Sequence, residues 1–287
     1  MKLITYIKDN SENIGILKDD GGIVRIPFCT DMNNLIESID EKGWEELRAL
    51  EKKSAETCLS EVRLLSPIPH PRQDILCLGL NYTDHAKEAK QYSTDAFSSD
   101  KAKAIYFSKR VNECLPDGGT ISAFEKLTQR LDYEVELAVI LGKDALNVKA
   151  VDVKDYIFGY SVFNDMSARD LQTEHKQWYF GKSLDGFCPM GPCITTADSV
   201  SYPPALKITS TVNGQLRQNG NTNMFIHDID EVVSELSQGM TLKKGTIIAT
   251  GTPKGVAMGM EKPEFLKKGD VIVCEIEAIG KLTNTIV

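Results

Sequence analysis

Leu131-Asp132-Tyr133-Glu134-Val135-Glu136-Leu137-Ala138-Val139-Ile140-Leu141 sets two glutamates into an otherwise strand-like apolar run. Side chains alternate faces along a strand, so Glu134 and Glu136 share one face, while Tyr133, Val135, Leu137 and Val139 share the other. The glutamate face continues through Ala138 and Ile140, which predicts a strand buried on both faces. Two neighbouring carboxylates at the end of such a strand repel each other and lose hydration, a cost of several kcal/mol per ion unless something compensates. A bound cation is the simplest compensation. The alternative is a strand end that meets Lys or Arg.

Working outward, the 287 residues with 41% hydrophobic content suffice for a substantial core. No apolar run approaches a membrane span, and the first residues lack the layout of a secretion signal, so a cytoplasmic protein is expected. Cys29, Cys58, Cys77, Cys114, Cys188, Cys193 and Cys274 are scattered among apolar neighbours and read as reduced core residues. A net charge of -8 argues against nucleic acid or an anionic membrane as partner. A small anionic substrate then needs a local cation.

Residues 1 to 70 read as a small α+β domain. Strand-like runs at 3–7, 13–17 and 23–26 are followed by helical stretches at 32–39 and 43–52. The proline-dense Pro67-Ile68-Pro69-His70-Pro71 places a boundary near residue 70, with a second domain over 71–287. A buried strand at 74–80 leads to Thr83, read as the cap of a helix over 84–90 that sets His85 and Glu88 on one face. A histidine held by a neighbouring carboxylate is an oriented base. The polar segment 91–103 reads as a lid carrying that helix. Lys109 and Arg110 follow a strand at 104–107 and are placed to greet a carboxylate. Asp165 ends a strand over 157–163 ahead of a helix that Ser167 is expected to cap, and supplies a third carboxylate. Three acidic oxygens without Cys or a histidine pair select Mg2+ or Mn2+, with Ca2+ the poorer fit. Lys182, in a turn-rich segment, is suited to stabilising an enolate or oxyanion. Asn213-Gly214 marks a hairpin. The loop after a strand at 246–250 offers Thr252 to a carboxylate.

The segments Asn81-Tyr82-x-x-His85-x-x-Glu88, Tyr133-Glu134-x-Glu136-Leu137, Asn164-Asp165-x-Ser167-Ala168-Arg169-Asp170-x-Gln172, Gly181-Lys182-Ser183-x-Asp185-Gly186 and Thr250-Gly251-Thr252-Pro253-x-Gly255 fall in an order that resembles the fumarylacetoacetate hydrolase family over residues 67 to 287. The resemblance implies a mixed, rolled β-sheet with peripheral helices, an α+β fold whose members usually form homodimers. By it, Glu134, Glu136 and Asp165 match metal ligands, and His85 with Glu88 matches a water-orienting pair. Lys182 is carried over as a catalytic residue, and Arg169, Gln172, Thr252 and Lys109 as substrate contacts. Two departures stand out: Arg110 replaces the proline that often follows the lysine, and Leu80 replaces an arginine before Asn81.

The chemistry so implied is that of a Mg2+- or Mn2+-dependent enzyme acting on a small 2-oxo acid through an enolate. Hydrolysis of a carbon–carbon bond in an acylpyruvate is the leading expectation, with water activated by His85. Decarboxylation of an oxaloacetate-type acid, or isomerisation and tautomerisation, passes through the same enolate. A catalytically idle metal- or ligand-binding protein is the third possibility.

Overall fold

The computed structural model describes residues 1–89 and 103–287, so the expected lid at 91–103 lies, apart from Lys103, outside the described residues. The strand Val135–Leu141 is buried along its whole length. It pairs antiparallel with Ile157–Asn164 on one side and with Ile247–Ala249 on the other. Alternation then divides its side chains between two cores. Val135, Leu137, Val139 and Leu141 join one cluster with Ile208, Cys274 and Leu282. Ala138 and Ile140 join another with Leu3, Ile14, Leu35 and Leu47.

That division sets the architecture. Among the described residues, the larger sheet has 11 strands and runs through Thr57–Cys58, Gly22–Arg25, Ser11–Leu17, Lys2–Lys8, Met190–Thr196, Ile157–Asn164, Val135–Leu141, Ile247–Ala249, Ile75–Gly79 and Ile105–Lys109, with Arg63–Leu64 beside Lys2–Lys8. Within it, Ile247–Ala249 and Ile75–Gly79 run parallel. A second sheet of 5 strands contains Gln215–Asn221, Lys207–Val212, Val271–Ile276, Gly280–Ile286 and Thr120–Ile121. The expected α+β fold of mixed sheets with peripheral helices is therefore what the chain forms, and neither sheet closes into a barrel among the described residues.

The first 70 residues form the expected strands and helices. Met32–Ser38 and Glu41–Glu51 are capped by Asp31 and Asp40, whose side chains accept from Asn34 N and Gly43 N. These elements extend the large sheet and share its second core, while Ile4, Tyr6 and Ile23 form a small separate cluster with Cys193. The hairpin at Asn213-Gly214 has both residues at positive φ, 51° and 79°, as a tight primed turn requires. No helix among the described residues is long and apolar enough to cross a membrane.

Local boundaries differ from expectation in places that matter for the site. The run 131–141 is broken: Leu131–Asp132 pairs with Ser167–Ala168, and regular pairing resumes at Val135. The Asn164 side chain fills the gap, accepting from Glu134 N at 3.0 Å. Ser167 caps no helix. It sits in a short strand, its hydroxyl donates to Asp165 O, and the helix Arg169–Glu174 starts after Ala168 without a side-chain cap. Thr83 is the first residue of the helix Thr83–Ala89 rather than its cap. Lys182 ends a helical turn, Tyr179–Lys182, instead of lying in an open turn.

Candidate active site

The break before Val135 and the end of Ile157–Asn164 bring Glu134, Glu136 and Asp165 together. One carboxylate oxygen from each lies within 4.8 Å of the others, and all three residues are buried. The strand end also meets cations. Arg169 Nη2 donates to Glu134 Oε1 at 2.6 Å, and Lys182 Nζ donates to Glu134 Oε2 at 2.6 Å and Asp165 Oδ2 at 2.7 Å. Both answers to the electrostatic problem of the sequence are thus built in, a cation-ready triad and basic side chains around it.

The balance between them is uneven. Burial works to raise the Glu134 carboxyl, but Arg169 and Lys182 outweigh it and hold it well below the usual carboxylate range. Glu136 accepts only from Gly251 N, at 2.8 Å, and has no ion-pair partner among the described residues. Burial, then the charges of Asp165 and Glu134, push its carboxyl well above the usual range. Burial acts to lower the Lys182 ammonium, yet Asp165 and Glu134 raise it. Around the triad the buried acids Asp132, Glu134, Glu136 and Asp165 exceed the buried bases Lys109, Arg169 and Lys182 by one. The residues therefore fit a divalent cation: the donor set is all carboxylate oxygen, and the charge that is missing is positive.

Of the residues singled out in the sequence, His85, Glu134, Glu136, Arg169, Gln172, Lys182 and Thr252 line one cavity of about 470 Å3. Glu88 stands behind His85. His85 Nδ1 meets Glu88 Oε2 at 2.9 Å, and Gly255 N donates to the same carboxylate at 3.1 and 3.3 Å. A carboxylate accepting these bonds fixes Nδ1 as the protonated nitrogen and leaves Nε2 as the base. Lys109 and Arg110 stand outside the cavity lining. Lys109, the last residue of Ile105–Lys109, is fully buried, and its ammonium donates to Asp165 Oδ1 and Met166 O. Arg110, next along the chain, is exposed and lines no wall of this cavity.

Three contributors escaped the sequence reading. Asp132 accepts from Ala257 N at 2.8 Å, Met258 N at 3.0 Å and Arg169 Nε at 2.9 Å, tying the guanidinium to the loop after Thr250. Its place on the glutamate face of the opening run was the available signal. Gln218 Nε2 donates to Thr252 Oγ1 and Pro253 O at 2.7 Å, and its Oε1 accepts from Val135 N at 3.0 Å. A polar residue of a hairpin strand offers no sequence cue for that role. Trp178 is the third.

Asp170 anchors the helix that carries Arg169 and Gln172. Its carboxylate accepts from Thr128 Oγ1 at 2.5 Å, Gln129 N at 2.9 Å and Leu171 N at 2.9 Å. Burial opposes ionisation, but these donors hold the carboxyl below its usual value. A depressed folded-state value stabilises above the unfolded value of about 4 and is lost as pH falls through the folded value. Asp170→Asn is therefore expected to lower Tm by about 2–4 °C at pH 7. The gap should narrow as pH falls below about 4, and a gap that is as wide at about pH 3 as at about pH 7 in thermal scans refutes the assignment.

A buried carboxylate triad faced by a histidine–glutamate pair on these two mixed sheets defines a known class. The fumarylacetoacetate hydrolase C-terminal model matches residues 74–287, and the chain belongs to that enzyme family. It is 44% identical over 228 residues to the oxaloacetate tautomerase YisK of Bacillus subtilis, covering 79% of this chain and 74% of that protein. The fold is similar to that of fumarylacetoacetate hydrolase from the psychrophilic Exiguobacterium antarcticum, with a TM-score of 0.84, 36% identity, and coverage of 100% of this chain and 99% of that one. It is also similar to maleylpyruvate hydrolase from Sphingobium sp. SYK-6 in complex with manganese(II) and pyruvate, with a TM-score of 0.78, 29% identity, and coverage of 100% and 99%.

Proposed function

We propose that the chain is a divalent-metal-dependent enzyme that interconverts the enol and keto forms of a short dicarboxylic 2-oxo acid of the oxaloacetate type. The observation that carries this reading is His85, backed by Glu88, sharing one cavity with Glu134 and Glu136 of a buried hard-cation triad, in a chain similar to an oxaloacetate tautomerase. A Mg2+ or Mn2+ ion held by Glu134, Glu136 and Asp165 supplies Lewis acidity toward a carbonyl oxygen. Arg169 and Gln172 bind the substrate carboxylate from the cavity wall, and Thr252 adds a hydroxyl. Lys182 stabilises negative charge on the enolate oxygen. His85, its Nδ1 held by Glu88, takes a proton at Nε2 from the carbon next to the carbonyl and returns one to oxygen.

Hydrolysis of an acylpyruvate is the second reading. The same histidine pair is built to orient water, and the likeness to a maleylpyruvate hydrolase supports it. The intact acidic, basic and histidine–glutamate sets argue against an idle binding protein. The proposed partner is a small anionic 2-oxo acid, with neither nucleic acid nor membrane involved, and the chain is proposed to act as a homodimer in the cytoplasm. Seven free cysteines agree with a reducing compartment.

The test compares the Mn2+-loaded protein with His85→Ala on two substrates, following oxaloacetate enol loss by ultraviolet absorbance and pyruvate release from acetylpyruvate. The wild type is expected to act on oxaloacetate and the variant to lose about 10²–10⁴ in kcat. Tautomerisation that survives in the variant removes His85 as the proton carrier. A wild type that only cleaves acetylpyruvate makes hydrolysis the function, and turnover of neither with metal bound leaves the idle reading.

A further inference from the structure

We infer that Trp178 limits the length of the 2-oxo acid that the cavity accepts, and that Gly79 sets how far its indole stands back. This rests on the reading of the site as one for 2-oxo acids. Trp178 precedes Lys182 by one helical turn, with Lys182 N donating to Trp178 O at 3.1 Å. Residues four apart on a turn share a face, and both side chains line the cavity. Phe107 stands between them. The Lys182 ammonium lies 5.2 Å from the Phe107 ring centroid, and the Phe107 and Trp178 rings meet edge to face at 5.3 Å and 70°. Because that ammonium is bonded to Glu134 and Asp165, the row Lys182, Phe107, Trp178 runs outward from the carboxylate triad.

The indole has no room to retreat toward Gly79. A Cβ at Gly79 would lie 2.5 Å from Trp178 Cζ3 and 2.8 Å from Cη2, closer than carbon atoms approach. The ring thus fills the space that any other residue at position 79 would take, with the strand Ile75–Gly79 behind it. A tail that extends from the triad along this row meets Phe107 first and the indole beyond it, so reach decides which acids meet the wall. The wall therefore selects short 2-oxo acids.

The experiment measures binding to the Mn2+-loaded protein by calorimetry, using oxalate and N-alkyl oxamates with ethyl, butyl and hexyl tails. These probes carry the adjacent carboxylate and carbonyl oxygens but do not react. Wild-type affinity is expected to fall with tail length. Trp178→Ala should restore hexyl-oxamate binding by about tenfold or more, with oxalate affinity changed by less than about twofold. Gly79→Ala drives the ring into the cavity and should weaken ethyl-oxamate binding by about tenfold while sparing oxalate. Trp178→Phe keeps an aromatic contact with Phe107 and should fall between wild type and Trp178→Ala, so the trend stands even where the alanine variant folds poorly. If oxalate fails to bind wild type, the 2-oxo acid reading falls and takes this inference with it. If oxalate binds and the tail-length profile is the same in wild type, Trp178→Phe and Gly79→Ala, the inference alone is overturned.

Discussion

Glu136→Gln is expected to remove divalent-metal binding while leaving the Tm of the metal-free protein unchanged. Glu136 sits in the triad without an ion-pair partner among the described residues, and burial with two like charges favours its protonated form. The metal-free site therefore disfavours an anion at this position. Glutamine keeps the shape, the neutrality and an acceptor for Gly251 N. A cation, however, needs the anionic oxygen. Loss of outer-shell partners alone commonly costs about 10–100-fold in affinity, so loss of a ligand should exceed about 10³-fold for Mn2+ in calorimetry. Unchanged affinity takes Glu136 out of the site.

Its neighbour should behave in the opposite way. Glu134 is ion-paired to Arg169 and Lys182, so Glu134→Gln takes one anionic partner from each of two buried cations, which keep Asp132 and Asp165, and is expected to cost about 2–3 kcal/mol in stability. Equal Tm values for the two variants refute the uneven charge balance described for the triad.

Lys182→Met should produce the other large effect. The lysine is 2% exposed, and its ammonium bridges Glu134 and Asp165. Methionine has similar length and no charge, so two buried carboxylates lose a shared partner, at a cost of about 3–5 kcal/mol to the metal-free protein. For a chain of this size that corresponds to a Tm lowered by roughly 10 °C. Mn2+ should stabilise the variant more than the wild type, because the ion replaces the missing charge. Turnover is expected to stay depressed even with metal bound, by about 10²–10³ in kcat, since the enolate loses its stabilising cation. Thermal scans with and without Mn2+ and kinetics on the loaded protein check both parts. A Tm equal to wild type without metal defeats the structural part, and wild-type kcat with metal defeats the catalytic one.

How much of this was legible in the chain depends on the range of the interaction. The period-2 alternation at 131–141 set Glu134 beside Glu136, and the helical spacing of His85 and Glu88 joined base to orienter. Both are local regularities, and the structure keeps both pairs together, although Glu134 itself stands in the break before Val135. Asp165 was found because it closes a recognisable strand. The burial of Lys109 was not legible, because a basic residue at a strand end looks the same in sequence whether it faces a cavity or the interior. Its partner Asp165 is 56 residues away.

By itself, the sequence determined the buried acidic strand, the hard-cation donor set, the oriented histidine and the family, since each depends on spacing or order along the chain. Only the tertiary structure decided that the first 70 residues share the large sheet and one of its cores. It alone decided that Lys109 lies beneath the triad, that Gly251 reaches Glu136 across 115 residues, and that a glycine at 79 makes room for Trp178. Those contacts join segments far apart in the chain, and their specificity comes from close packing and from pairing buried polar groups, which no local pattern records.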